Sequence, residues 1–332
     1  MVVTIDVDPH GDTLLAFPTA NEDGECKLRV SSAGPSLGSS VFRSMFSHRF
    51  REGLELGATS SVEVPLPDDD PKAMAILCNV LHHRNDRIPT AAALSAADLL
   101  KVAEMSDKYD CAVALQPTAR GWLAVFEKRT KIEDRQSMIS AAYLFNDDRG
   151  FKEFARCIVL QTAGPIWDPA TRDDAGPFRK LFECTNQQRK IVTFIESHVG
   201  SLLTDRDRDR TALRLMCSPT CAYVEAYTAL FLRELKKRDL WPSKLIYERP
   251  VEASLIDMRA VEAPSTLRCT PCAGQGNCKC LYAGKSSFED YIPKFTRQAS
   301  IIQQQTKQLC LKCYRANGGW KTADCKHQRS TN

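Results

Sequence analysis

What the chain lacks narrows its function before anything it contains. No stretch approaches the roughly 18 consecutive apolar residues that a membrane-spanning helix needs. Met1–His10 carries Asp6, Asp8 and His10, with no apolar run behind them. Neither a membrane span nor a signal peptide is therefore expected, and the expected address is the nucleus or the cytoplasm, with no membrane partner. Catalytic motifs are missing too: there is no G-x-S-x-G, no H-E-x-x-H and no kinase signature set. Gly274-Gln275-Gly276 has no strand before it and no helix after it, which excludes a dinucleotide loop. The six histidines are scattered, and no nucleophile–base pair can be assembled from them. His82 and His83 close a helical stretch, where cations suit the helix dipole, and are expected on the surface. His198 falls on an apolar helix face and reads as a core or boundary histidine. The expectation is a protein that is not an enzyme.

What is present is unevenly distributed. A chain of 332 residues is long enough for two or three domains, each with its own core. Residues 1–115 hold 10 Lys/Arg against 17 Asp/Glu, a net of −7. From Ser265 to Asn332, 11 Lys/Arg stand against Glu289, Asp290 and Asp324, a net of +8. An acidic head and a basic tail imply separate domains with separate partners, although a basic surface also serves solubility alone. Cysteine follows the same division: seven of the 14 lie from Cys269 onward. Clustered cysteines in a chain without a secretory signal point to metal before disulfides.

Local patterns place the elements. Asp12–Phe17 and Cys26–Val30 read as a hairpin across the Asn21-Glu22-Asp23-Gly24 turn. Ser39 or Ser40 caps a short helix through Phe46, and Val62-Glu63-Val64 is a brief strand stopped by prolines. Asp70-Pro71 starts a helix whose apolar face is Met74, Leu77, Cys78 and Leu81. Ser95 to Asp98 opens another in capping-box style, with Leu99, Val102, Ala103 and Ser106 on one face. Asp68-Asp69-Asp70 is explained as a turn and cap without invoking a metal. Residues 116–240 read as a helical region, interrupted by the Gly164–Pro177 loop and by the alternating charges of Asp205–Arg210. Residues 241–268, with scattered prolines and weak periodicity, read as a linker. Cys217 and Cys221 read as packing residues.

Val30-Ser31-Ser32, Ser39–Phe46, Val62–Pro71 and Asp107-Lys108-Tyr109-Asp110-Cys111 occur in an order that resembles the BTB/POZ interaction domain in its fungal form. The resemblance covers about the first third of the chain. It implies an N-terminal BTB/POZ α/β domain over 1–115, and with the patterns read above it gives an α+β expectation overall: that domain, the helical middle region over 116–240, the linker, and a small Cys-rich C-terminal segment over 269–332. It also implies protein partners, through a homodimer or through recruitment, with the cullin scaffold of a ubiquitin ligase as the partner of adaptor-type members. Such adaptors present a hydrophobic residue, any residue, then Glu, and Phe50-Arg51-Glu52 stands in the matching place. The aromatic would fill a groove and the carboxylate would meet a donor at its rim. The alternative buries Phe50 in the core and leaves Glu52 in solvent. Ser31-Ser32-Ala33-Gly34-Pro35 departs from the animal pattern, where a His-Lys stretch is usual, and this bears on both the dimer contacts and the ligase role.

The tail offers Cys269-x2-Cys272, Cys278-x-Cys280, Cys310-x2-Cys313 and Cys325-x-His327. Paired thiolates on a tight turn reach one ion at about 2.3 Å, and seven thiols with one imidazole suffice for two four-coordinate sites. An all-Cys/His set favours a structural Zn2+ over a catalytic one, with reduced thiols or a redox pair as the alternatives. The basic tail also supports a second function, a nuclear regulator whose zinc-stapled segment contacts nucleic acid.

Overall fold

Alternation of apolar and charged residues decides the faces of the sheet. A computed structural model of the chain describes residues 2–18, 26–47, 50–58, 61–129, 131, 134–163, 187–204, 223–262, 291–306, 310–317 and 325. In it β1 (Val3–Asp6), β2 (Thr13–Phe17), β3 (Cys26–Val30) and β4 (Val62–Pro65) form one sheet in the order β1-β3-β2-β4. β2 and β3 are antiparallel, as the hairpin reading requires, while β1 lies parallel to β3 and β4 parallel to β2. The register lines up Ile5, Leu28, Leu15 and Val64 on the core-facing side, where the last three are buried. One residue along, Asp6, Arg29, Leu14 and Glu63 line the other face. There Arg29 pairs with Asp6 at 3.2 Å, and Lys27 reaches Glu63 at 2.7 Å. A one-residue slip would exchange the two rows, so burial specifies the register.

The chain divides into two compact units, Met1–Ala155 and Arg156–Asn332. In the first, α1 (Ala33–Gly38), α2 (Ser40–Met45) and α3 (Arg51–Ala58) separate β3 from β4. α4 (Pro71–Leu81) begins where expected: the Asp70 carboxylate accepts the Ala73 N–H at 2.9 Å, and Pro71 stands at its start. α5 (Ala96–Lys108) begins with a complete capping box, in which Ser95 Oγ accepts from the Asp98 N–H while the Asp98 carboxylate accepts from the Ser95 N–H. The unit continues past residue 115. α6 (Ala112–Arg129) and α7 (Arg135–Leu144) pack on α5 and bury Trp122, Phe126, Met138 and Phe145, and α8 (Asp148–Gln161) runs across the boundary. The helical stretch 116–155 thus shares a unit with the sheet instead of forming a separate region.

His82 differs from its expectation as a surface residue. It is half-buried, its Nδ1 lies 2.8 Å from the Cys78 carbonyl, and its Nε2 accepts the Ser31 N–H at 3.0 Å. The first turn of α1 lies so close to this ring that a Cβ on Gly34 would stand 3.1 Å from Nε2.

The second unit is built from α9 (Gln187–Thr204), α10 (Tyr223–Lys237), α11 (Val251–Arg259), α12 (Tyr291–Thr306) and α13 (Leu311–Asn317). Its core includes Ile191, Ile195, Phe231, Leu235, Leu255, Met258, Phe295 and Ile302. His198 is half-buried on α9, with its ring 4.0 Å from that of Phe194. The linker expected over 241–268 is not a linker across its first part. Residues 243–248 form a 3-10 helix and 251–259 form α11, burying Ile246, Val251, Leu255 and Met258. The prolines misled: Pro242 and Pro250 stand at the caps, where a missing N–H costs nothing. The hairpin turn at 21–24, the Gly164–Pro177 loop, the Asp205–Arg210 run and Cys217 and Cys221 lie outside the described residues. Among the described residues, no helix is long and apolar enough to cross a membrane.

Candidate docking groove and thiol cluster

Two short helices carry the two candidate sites. α2 owes its start to Ser39, whose Oγ accepts the Phe42 N–H at 2.9 Å and donates to the Tyr109 carbonyl at 2.6 Å. Phe42 stacks on Tyr109 with ring centroids 4.5 Å apart and planes 12° from parallel. Tyr109 is itself anchored. Its hydroxyl donates to the Asp69 carboxylate, whose other oxygen accepts from Lys108 Nζ at 2.5 Å. Burial and the Asp69 carboxylate both push the Tyr109 hydroxyl far up from its ordinary value, so it remains a proton donor. The Asp107–Cys111 segment is therefore the clamp that holds α2 in place. Burial pushes the neighbouring thiols up as well, Cys78 to about 12 and Cys111 to about 11, which suits inert core residues.

With α2 fixed, its outer side becomes one wall of a groove of about 390 Å³ lined by Ser40, Val41, Ser44, Met45, Phe50 and Glu52. The opposite wall comes from the start of α3, where the Phe50 carbonyl accepts the Leu54 N–H at 3.1 Å. Phe50 is 51% exposed, so it is not a core residue. Arg51 pairs with Glu55 at 2.7 Å, and its guanidinium also feels the charge of the Glu52 carboxylate. Val41 and Met45 supply an apolar floor, while Ser40 Oγ donates to Asp110 at 2.5 Å at one end. An aromatic, two aliphatic side chains and a carboxylate together can accept an apolar side chain flanked by a cation.

One groove determinant escapes sequence reasoning. A Cβ at Gly53 would lie 1.9 Å from the Ser47 carbonyl oxygen, so α3 approaches the preceding backbone closely only because residue 53 is glycine. The groove face of α2 was also unmarked, since Ser40, Val41, Ser44 and Met45 acquire their role only from what lies across from them. The resemblance did point to Phe50 and Glu52, which the structure brings to the same groove.

The second site is at the other end of the chain. Cys310 precedes α13, and its carbonyl accepts the Tyr314 N–H at 2.9 Å, which brings Cys313 onto the same side one turn later. The Sγ atoms of Cys310, Cys313 and Cys325 all lie within 4.8 Å of one another. Cys310 and Cys313 are buried and Cys325 is half-buried. Burial pushes the Cys310 thiol up, and hydrogen bonding among the three thiols acts in the same direction, against an opposing backbone N–H from Cys313. Three soft sulfur donors gathered this closely can hold a metal ion, and the donor type is compatible with zinc. Of the other candidate ligands, Cys269, Cys272, Cys278, Cys280 and His327 lie outside the described residues.

Comparison of the chain with protein-family models, with curated proteins and with solved structures found no match.

Proposed function

We propose that this chain is a non-enzymatic protein-interaction module of BTB/POZ type, which recruits a partner through the groove between α2 and α3. The carrying observation is that Phe50 and Glu52, two positions apart, line one groove with Val41 and Met45, leaving the aromatic exposed. Further support comes from the order of elements, with a hairpin, a serine-capped helix, a short strand and then paired helices. The partner proposed is the cullin scaffold of a ubiquitin ligase, in the nucleus or the cytoplasm, with this chain as substrate adaptor. Zinc at Cys310, Cys313 and Cys325 is proposed as a structural cofactor, supported by the all-thiol donor set.

A pull-down of cullin with the wild-type chain and with the variants Phe50→Ala and Glu52→Ala tests the recruitment reading. Capture by the wild type and loss in both variants is expected. No capture by the wild type ends the adaptor assignment, and equal capture by all three moves the docking surface elsewhere.

A further inference from the structure

Among the described residues, the apolar core of the second unit runs from Leu160 to Ile302, with its members drawn from elements before α13. Yet Cys310, Leu311, Cys313 and Tyr314 are all buried. α13 has seven residues, well under the roughly 12–15 that an isolated helix needs to be even marginally stable in water. Only two of the four buried side chains, Leu311 and Tyr314, are large apolar groups. Against them stands the entropy of ordering the helix and of closing the chain onto Cys325, 12 positions beyond Cys313. What the three converging residues share is sulfur at ligating distance.

We infer that a zinc ion is what folds this knot. Cys310, Cys313 and Cys325 form a metal-dependent latch, which holds α13 and Cys325 in place when zinc is bound and releases them when it is removed. The core that ends at Ile302 stands without the ion. This rests on the zinc reading above and adds what the ion controls. On binding, each thiol gives its proton to solvent and a sulfur lone pair to Zn2+, so three S–H bonds break as three Zn–S bonds form. No electron changes hands, and no oxidant or reductant is needed. Because ligands from two places in the chain meet at one ion, binding free energy becomes folding free energy for the segment between them.

The test uses the full-length chain. Zinc content is measured by elemental analysis, and hydrogen–deuterium exchange is followed at the amides of α13, α11 and α12 before and after chelation. The latch predicts that chelation speeds exchange at 311–317 by about tenfold or more while α11 and α12 keep their protection, and that added zinc restores it. Cys313→Ser should lower zinc by one equivalent per chain, whereas Cys26→Ser, in the sheet of the other unit, should leave zinc unchanged. If Cys313→Ser does not fold, chelation of the wild type still decides. Absence of zinc, or content unaffected by Cys313→Ser, overturns the zinc reading and the latch with it. Zinc removed with 311–317 still protected overturns the latch alone. Loss of protection in α11 and α12 as well overturns the independence of the core.

Discussion

α2 and α13 are helices of six and seven residues, each too short to stand alone, and each is held in a different way. α2 is held by the ordinary means of a folded core: a serine cap, a stacked aromatic pair, and a tyrosine tied to a buried carboxylate. α13 brings two large buried apolar side chains and one thiol, Cys313, which meets the thiols of Cys310 before it and Cys325 beyond it. The difference teaches where each end can be switched. The helix that walls the groove is always present once the first unit folds, because its support is packing and hydrogen bonds. Under the latch proposed above, the order of the helix beside the thiols follows metal supply. Chelation should therefore alter the second region and leave the first untouched.

The sharpest way to break the first region is at Tyr109. Tyr109→Ala removes the ring stacked on Phe42 and leaves the buried Asp69 carboxylate with Lys108 alone. A loss of about 3–5 kcal/mol is expected, read as a lower urea midpoint for the first unit. A change under about 1 kcal/mol would mean that the clamp does not support α2.

Gly53→Ala is the next test, with a smaller effect. Its Cβ would meet the Ser47 backbone at 1.9 Å, and backbone cannot rotate aside as a flexible side chain can. An overpacking cost of about 1–3 kcal/mol is expected, together with weaker partner capture because α3 shifts away from α2. Unchanged stability and capture would show that the close approach is dispensable.

These two positions also mark the boundary of what was legible in the sequence. Ser39, Asp70 and the Ser95–Asp98 box act through hydrogen bonds to backbone three residues away, so they could be read directly. Phe50 and Glu52 were legible only through the resemblance to the BTB/POZ domain, and Cys310-x2-Cys313 was legible as a ligand spacing. Gly53 was not, because its requirement comes from the Ser47 backbone folding back against it, which no periodicity records. Cys325 could be named only as one of eight candidates, because spacing does not say which distant thiols converge. Residues 243–259 were misread because prolines were counted as breaks, although Val251, Leu255 and Met258 already stand at i, i+4 and i+7. The extension of the first unit to Ala155 was likewise illegible, since a helical pattern does not say which core it joins.

The smallest expected effect concerns charge at the start of α5. Asp98 accepts from Lys72 at 2.9 Å and from Ser95, and these contacts lower its carboxyl to about 2. A carboxylate depressed in the folded state stabilises above its unfolded value near 4, and that contribution is lost as pH falls toward about 2. The site is partly solvated, so Asp98→Ala should cost only about 0.5–1 kcal/mol at pH 7. Urea titrations of both proteins should converge between about pH 4 and pH 2. A difference that persists at pH 2 would assign the effect to packing instead of charge.

The groove is the claim on which the functional reading turns, and titration of the purified full-length chain with cullin tests it most directly. Phe50 is half exposed, so Phe50→Ala should leave the urea midpoint within about 0.5 kcal/mol of wild type. The same variant should weaken Kd by about 30-fold or more, the loss of a central aromatic anchor. Equal affinity for wild type and Phe50→Ala, or no measurable binding by the wild type, would contradict the account.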